Sequence, residues 1–64
     1  MSNLNYLRQK YPTKSLLKKK EAAMEMNCSI ATLDRLRKQN IISSKKVGGG
    51  IYFTFEEIAS FLDS

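Results

Sequence analysis

Apolar residues along this chain recur at helical spacing in four places and alternate at strand spacing in one. Leu4, Leu7 and Tyr11 follow at intervals of three and four within the polar stretch from Ser2 to Tyr11. That spacing fits either a short amphipathic helix or an arm that orders on contact. Pro12 interrupts it, Thr13 to Ser15 reads as a linker, and Leu16-Leu17 forms an extended anchor into the core. From Lys19 to Met26 nearly every residue is a good helix former, and Ala22, Ala23 and Met26 make an inward stripe. The paired alanines let a second helix approach closely. Asn27, Cys28 and Ser29 leave room only for a tight turn. Asn27 tolerates the left-handed conformation that ends a helix, and Ser29 is a favoured N-cap for the next one.

The next helix is expected from Ile30 to Lys38 or Gln39. At about 100° per residue, Ile30, Leu33, Leu36 and Arg37 fall on one side, with Leu33 and Leu36 assigned to the core. Ala31, Asp34, Arg35 and Lys38 share the opposite side, with Thr32 on its flank. Gln39-Asn40 ends the helix, and Ile41-Ile42 returns apolar weight to the core. Ser43 to Val47 and Ile51 to Phe53 read as two short strands joined by Gly48-Gly49-Gly50. Ile51 and Phe53 point inward and Tyr52 outward by the period of two. Thr54 with Glu57 forms a capping box, and Phe53 against Ile58 its hydrophobic staple. The final helix, Phe55 to about Leu62, buries Ile58, Phe61 and Leu62, with Phe55 at its margin. The organisation expected is an N-terminal arm or short helix over 1–15 and one domain over 16–64, mainly α with a small β-hairpin.

Composition narrows the function classes. Sixty-four residues make one small core, near the lower limit for folding without staples. Cys28 is the single cysteine and there is no histidine, which rules out an intramolecular disulfide and argues against a zinc site within one chain. No metal or cofactor is expected. With no histidine, no clustered carboxylates and no nucleophile beside a base, the constellation an enzyme requires is missing. No apolar run is long enough to span a membrane, and the N-terminus lacks the apolar core of a signal peptide. A cytoplasmic, nucleoid-associated location follows as the expectation.

The charge distribution says more. Eleven Lys and Arg against six Asp and Glu give +5. All eleven bases lie between Arg8 and Lys46 with only Glu21, Glu25 and Asp34 to oppose them, a local balance of +8; Val47 to Ser64 holds three acids and no base. A basic front joined to an acidic tail suggests a polyanion-binding face, the plain alternative being charge that serves solubility. A short capped turn opening a basic helix, followed by a lysine pair and three glycines, supplies positive charge and donors in the manner of a helix-turn-helix with a glycine-tipped hairpin behind it.

From Leu16 to Leu62 the chain resembles the small winged-helix domains of the excisionase and MerR-like helix-turn-helix group. The matching residues are Leu16-Leu17, Glu21-Ala22-Ala23, Ser29, Thr32-Leu33, Arg35-Leu36, Ile41, Val47-Gly48-Gly49, Phe53 and Glu56 to Leu62. The chain departs from the family pattern at Lys18, where the first helix is usually capped by Thr, and at Lys19, which replaces an apolar residue. It departs again at Asn27-Cys28 in the turn, at Ile30 and Asp34 on the recognition helix, and at Gly50 where the wing tip often carries Arg. The resemblance implies a winged helix-turn-helix that binds double-stranded DNA, serving as an excisionase (a recombination directionality factor) or as a small transcriptional regulator of a mobile element. The implied partners are DNA, an integrase or recombinase, and further copies of the chain on DNA. Without a coiled coil after Ser64, a MerR-type effector-sensing dimer is not expected.

Each candidate contact has an ordinary alternative. Arg35 is the residue expected to read a base, because a guanidinium bonds guanine O6 and N7 together; a phosphate contact or a solvated side chain is the alternative. Ala31 suits a thymine methyl and Thr32 a phosphate, near the helix end that meets base edges. Asp34 either accepts from cytosine N4 or pairs with Lys38 one turn later, and its charge disfavours wrong sites. Lys38 lies on the same outward side of the helix, whose N-terminus Ser29 caps. Lys45 and Lys46 place cations beside the glycine tip, where Gly49 lets backbone approach backbone. Lys18, Lys19 and Lys20 oppose the helix dipole at their helix start, which hints at an external anion. Tyr52 offers a hydroxyl to phosphate or merely covers the sheet, and Cys28 reads as a small core residue. The second functional class is a protein-interaction module that binds an integrase or repressor through Leu4, Leu7 and Tyr11 or the tail helix, without DNA.

Overall fold

The computed structural model describes residues 3–63; Ser2, at the start of the first helical stretch, lies outside them. The described residues form α1 (Asn3–Lys10), β1 (Leu16–Lys18), α2 (Lys19–Glu25), α3 (Ile30–Lys38), β2 (Lys45–Val47), β3 (Gly50–Thr54) and α4 (Phe55–Asp63). The result is a mixed α/β architecture with four helices and a three-stranded antiparallel sheet.

The sheet is larger than the hairpin expected from sequence. β3 is its middle strand, with β2 on one edge and β1 on the other. Leu16-Leu17 is indeed extended, but it also pairs: Leu17 lies opposite Phe53 and Lys18 opposite Tyr52. A three-residue strand carries too weak a local signal to be seen without its partner. β2 is shorter than its sequence pattern, starting at Lys45, and β3 begins one residue earlier, at Gly50. Val47 faces Gly50, so the hairpin loop is Gly48-Gly49 alone. Positive φ falls on Gly48, at 62°, as a type II′ turn requires of its first central residue.

One core unites all the helices. Phe53, Leu7, Leu17, Leu33, Ile42 and Ile58 are fully enclosed, with Ala22, Ala23, Met26, Phe55 and Ala59 completing the buried set. The stripe expected on α2 is therefore the stripe observed. Phe53 and Ile58 are both enclosed, as a staple demands. Three expectations need correction. Leu36, assigned to the core with Leu33, is only half-buried and packs against the buried cluster from its edge, and Ile30 on the same side is 45% exposed. Ile41 is exposed while Ile42 alone turns inward. Phe55 is buried because Tyr11 covers it, the ring centroids lying 6.3 Å apart.

The capping box on α4 is half formed. Thr54 Oγ1 accepts from the Glu57 N–H at 3.1 Å, but the Glu57 carboxylate accepts instead from the backbone N–H of Ser43, 3.0 Å away. That stretch before β2 has a donor to satisfy, and it takes the carboxylate. On α2 the N-cap residue is Lys18, whose side chain has no acceptor; Glu21 satisfies the Lys18 N–H at 3.1 Å.

Between the two openings left by sequence for the N-terminal segment, the structure has the helix. α1 runs antiparallel to α4, with Asn3 bonded to Asp63 at one end and Arg8 3.8 Å from Glu56 at the other. It is also tied to α2. The Glu25 carboxylate, only 5% exposed, accepts from Lys10 Nζ at 2.7 Å, from the Tyr11 hydroxyl at 2.6 Å and from the Tyr6 hydroxyl at 3.1 Å. Burial pushes the Glu25 carboxyl up and is the largest single influence. The three donors together outweigh it and hold the group below its ordinary 4.5. The Tyr11 phenol is pushed up to about 12, first by its bond to Glu25 and then by burial.

A carboxyl depressed in the folded state contributes stability above its unfolded value and loses it as the pH falls through the folded one. Thermal unfolding followed from about pH 6 down to about pH 3 should therefore show a steeper loss for wild type than for Glu25→Gln. Parallel losses would remove Glu25 from that role.

Candidate nucleic-acid interface

The turn between α2 and α3 is set by hydrogen bonds at both of its ends. Asn27 adopts φ 56°. Its N–H donates to the Met24 carbonyl at 3.2 Å and the Cys28 N–H to the Ala23 carbonyl at 3.0 Å, the paired bonds of a Schellman motif. Ser29 then caps α3: its hydroxyl accepts from the Thr32 N–H at 3.1 Å and donates to Thr32 Oγ1 at 3.0 Å. The far end of α3 repeats the device. Asn40 sits at φ 61°, with Ile41 N–H on the Leu36 carbonyl and Asn40 N–H on the Arg37 carbonyl. Two asparagines thus define where α3 starts and where it stops. Cys28 is half-buried and packs against the core.

Along α3, Ala31, Arg35 and Lys38 are exposed and Thr32 is half-buried. The spacing of four and three puts the three exposed residues on one face. Asp34 does not join them, and it does not pair with Lys38. Its Oδ1 lies 2.9 Å from Lys19 Nζ and 3.3 Å from Arg37 Nη2, and its Oδ2 accepts from Lys19 at 3.1 Å. The residue one turn on loses to a lysine brought across from α2, because Lys19 meets both carboxylate oxygens. The bond from Lys19 does most to hold the Asp34 carboxyl below its ordinary range. Arg37 adds to the effect, and partial burial opposes it.

The sheet places the remaining candidates. Lys18 on β1 and Lys45 on β2 both lie opposite Tyr52 on β3. The three residues form a row across the face turned away from Phe53, since directly opposed residues share a face. Lys46 is opposite Ile51 and so points to the other side, the one on which the core and its helices lie. The lysine pair is therefore split by the strand period, not stacked together. The Tyr52 ring lies over Gly50: a Cβ there would meet the ring at 2.8 Å. Gly49 at the tip has open space around it.

Ion pairing sorts the eleven bases into two sets. Arg8, Lys10, Lys14, Lys19 and Arg37 each have a carboxylate within 4.0 Å. Lys18, Lys20, Arg35, Lys38, Lys45 and Lys46 have none among the described residues, and all six are exposed. These six are the bases expected at an anion site from sequence, with the single exception of Lys19, which Asp34 holds. Among the described residues no group of carboxylates, thiol or imidazole is arranged to hold a metal, and no helix is long and apolar enough to cross a membrane.

The contact between Gly50 and Tyr52 is open to a direct test. Gly50→Ala should cost about 1 kcal/mol of stability by forcing the ring aside, measured by chemical denaturation. The cost should vanish in a Tyr52→Ala background, where an additive pair would contradict the contact. Comparison with known protein families, with curated proteins and with solved structures finds no match to this chain.

Proposed function

We propose that this protein binds double-stranded DNA sequence-specifically as a winged helix-turn-helix, with α3 in the major groove and the β2–β3 hairpin on the backbone or in the minor groove. The observation that carries this is the sorting of charge. The bases left without a carboxylate sit on the outward stripe of α3, at the start of α2 and on the sheet, while the paired ones lie on α1, in the loop after it and where α2 meets α3. Pairing some cations with carboxylates while leaving six bare on α3, the β1–α2 junction and the hairpin supports a polyanion partner over general solubility. In this arrangement Arg35 reads a base, Ala31 and Thr32 meet the groove near the start of α3, and Lys46 is the hairpin cation on the same side of the sheet as the helices.

A domain of this kind buries roughly 600–1,000 Å² of protein on DNA, a modest share of the 4430 Å² surface. Useful affinity therefore calls for several copies side by side or for a partner such as an integrase. Both fit an excisionase or a small regulator of a mobile element. The competing interaction-module reading loses one of its two surfaces, since Leu7 is fully enclosed and Leu4 and Tyr11 pack on the core; the tail helix is its other.

The test is duplex binding as a function of salt, on duplexes selected from a random pool and on unselected ones. Six bare cations set a ceiling of about 5 on the slope of log affinity against log salt. No binding at low salt, or a slope below about 1, would overturn the proposal. Arg35→Ala should lower affinity for selected duplexes by about 1–3 kcal/mol and relax sequence preference, whereas Lys46→Ala should weaken all duplexes alike and flatten the slope by about 1.

A further inference from the structure

α3 carries Arg35, Arg37 and Lys38 in its last turns, yet only two of these are bare. Asp34 takes Arg37 from its own helix and Lys19 from α2, so one carboxylate holds two cations. All three side chains are about 30% exposed, close enough to solvent for a phosphate to compete. Arg37 is held there although its Nε is buried without an acceptor among the described residues. That is a cost the ion pair helps to offset. We infer that Asp34 is a specificity-determining residue, one that withholds Lys19 and Arg37 from the phosphate backbone and so keeps sequence-independent affinity low. The inference rests on the DNA reading above. Phosphate contacts carry no sequence information, and each added one strengthens binding to every duplex. A carboxylate that occupies two cations beside Arg35 limits that term while leaving Arg35 free to read a base. Asp34 acts through its neighbours and is a positioning residue, not a base contact.

The experiment measures salt-dependent affinity for unselected duplex in Asp34→Asn, which keeps the side chain's shape and loses its charge. Releasing one or both cations should steepen the salt slope by about 0.9–1.8 and raise affinity at about 0.1 M salt by roughly an order of magnitude or more. The ratio of selected to unselected affinity should fall. A residue that only braces α3 against α2 gives the opposite sign, a loss on both duplexes, and that result overturns the inference. An unchanged slope in a folded Asp34→Asn also overturns it while leaving the DNA reading intact; failure of wild type to bind any duplex removes both. Should Asp34→Asn not fold, wild-type pairing is read from Lys19→Gln and Lys20→Gln. The held Lys19 should cost clearly less slope than the bare Lys20, and equal costs would overturn the inference.

Discussion

The pairing of β3 on both edges is the constraint from which the rest of the fold follows. Its residues alternate across the sheet, so Phe53 is committed to the core once Leu17 lies opposite it, and Tyr52 is committed to the other face with Lys18 and Lys45 beside it. A slip of one residue would send every one of these to the wrong side. The glycine loop sets the register at one end, because a two-residue turn with positive φ at Gly48 allows only one pairing of Val47 with Gly50. At the other end β3 runs directly into α4, with Thr54 capping the helix. The register of one five-residue strand therefore decides both the core and the position of the hairpin cations.

On that frame, the carboxylates decide which cations remain available. Glu25 gathers Lys10 with two tyrosines and fastens α1 to α2. Glu21 takes Lys14 while accepting the N–H at the start of α2. Asp34 joins α2 to α3. Each acid in the basic half of the chain thus does a structural task and neutralises charge away from the bare set. Apart from the enclosed Glu25 cluster, such part-exposed ion pairs add little stability individually; their larger consequence here is the distribution of charge that they leave.

Much of the fold was legible because its signals are local. The alanine stripe of α2, the Asn27 turn and the Ser29 cap depend on residues within a turn or two of each other, and the structure has them all. What is not legible locally depends on long-range placement. β1 is a strand only because β3 offers an edge, Phe55 is buried only because α1 returns to cover it, and Asp34 prefers a lysine fifteen residues away to one four residues away. The candidate cations divide the same way. Their exposure on α3 was readable from helical period, but the loss of Lys19 to Asp34 was not. The separation of Lys45 from Lys46 onto opposite faces follows from the strand period, yet it takes on meaning only when the core side of the sheet is known.

On the proposed DNA-binding reading, the bare cations of α3 and Lys46, on the helix side of the hairpin, share one surface, while α1 and α4 serve the scaffold. Backbone amide shift mapping by NMR during titration with duplex DNA tests it most directly. Shifts should concentrate at Ala31, Thr32, Arg35 and Lys38, and at Lys20, Lys46 and the glycine tip, with α1, α4, and Lys18 and Lys45 on the other sheet face little changed. Shifts confined to α1 and α4, or none at low salt, would contradict it.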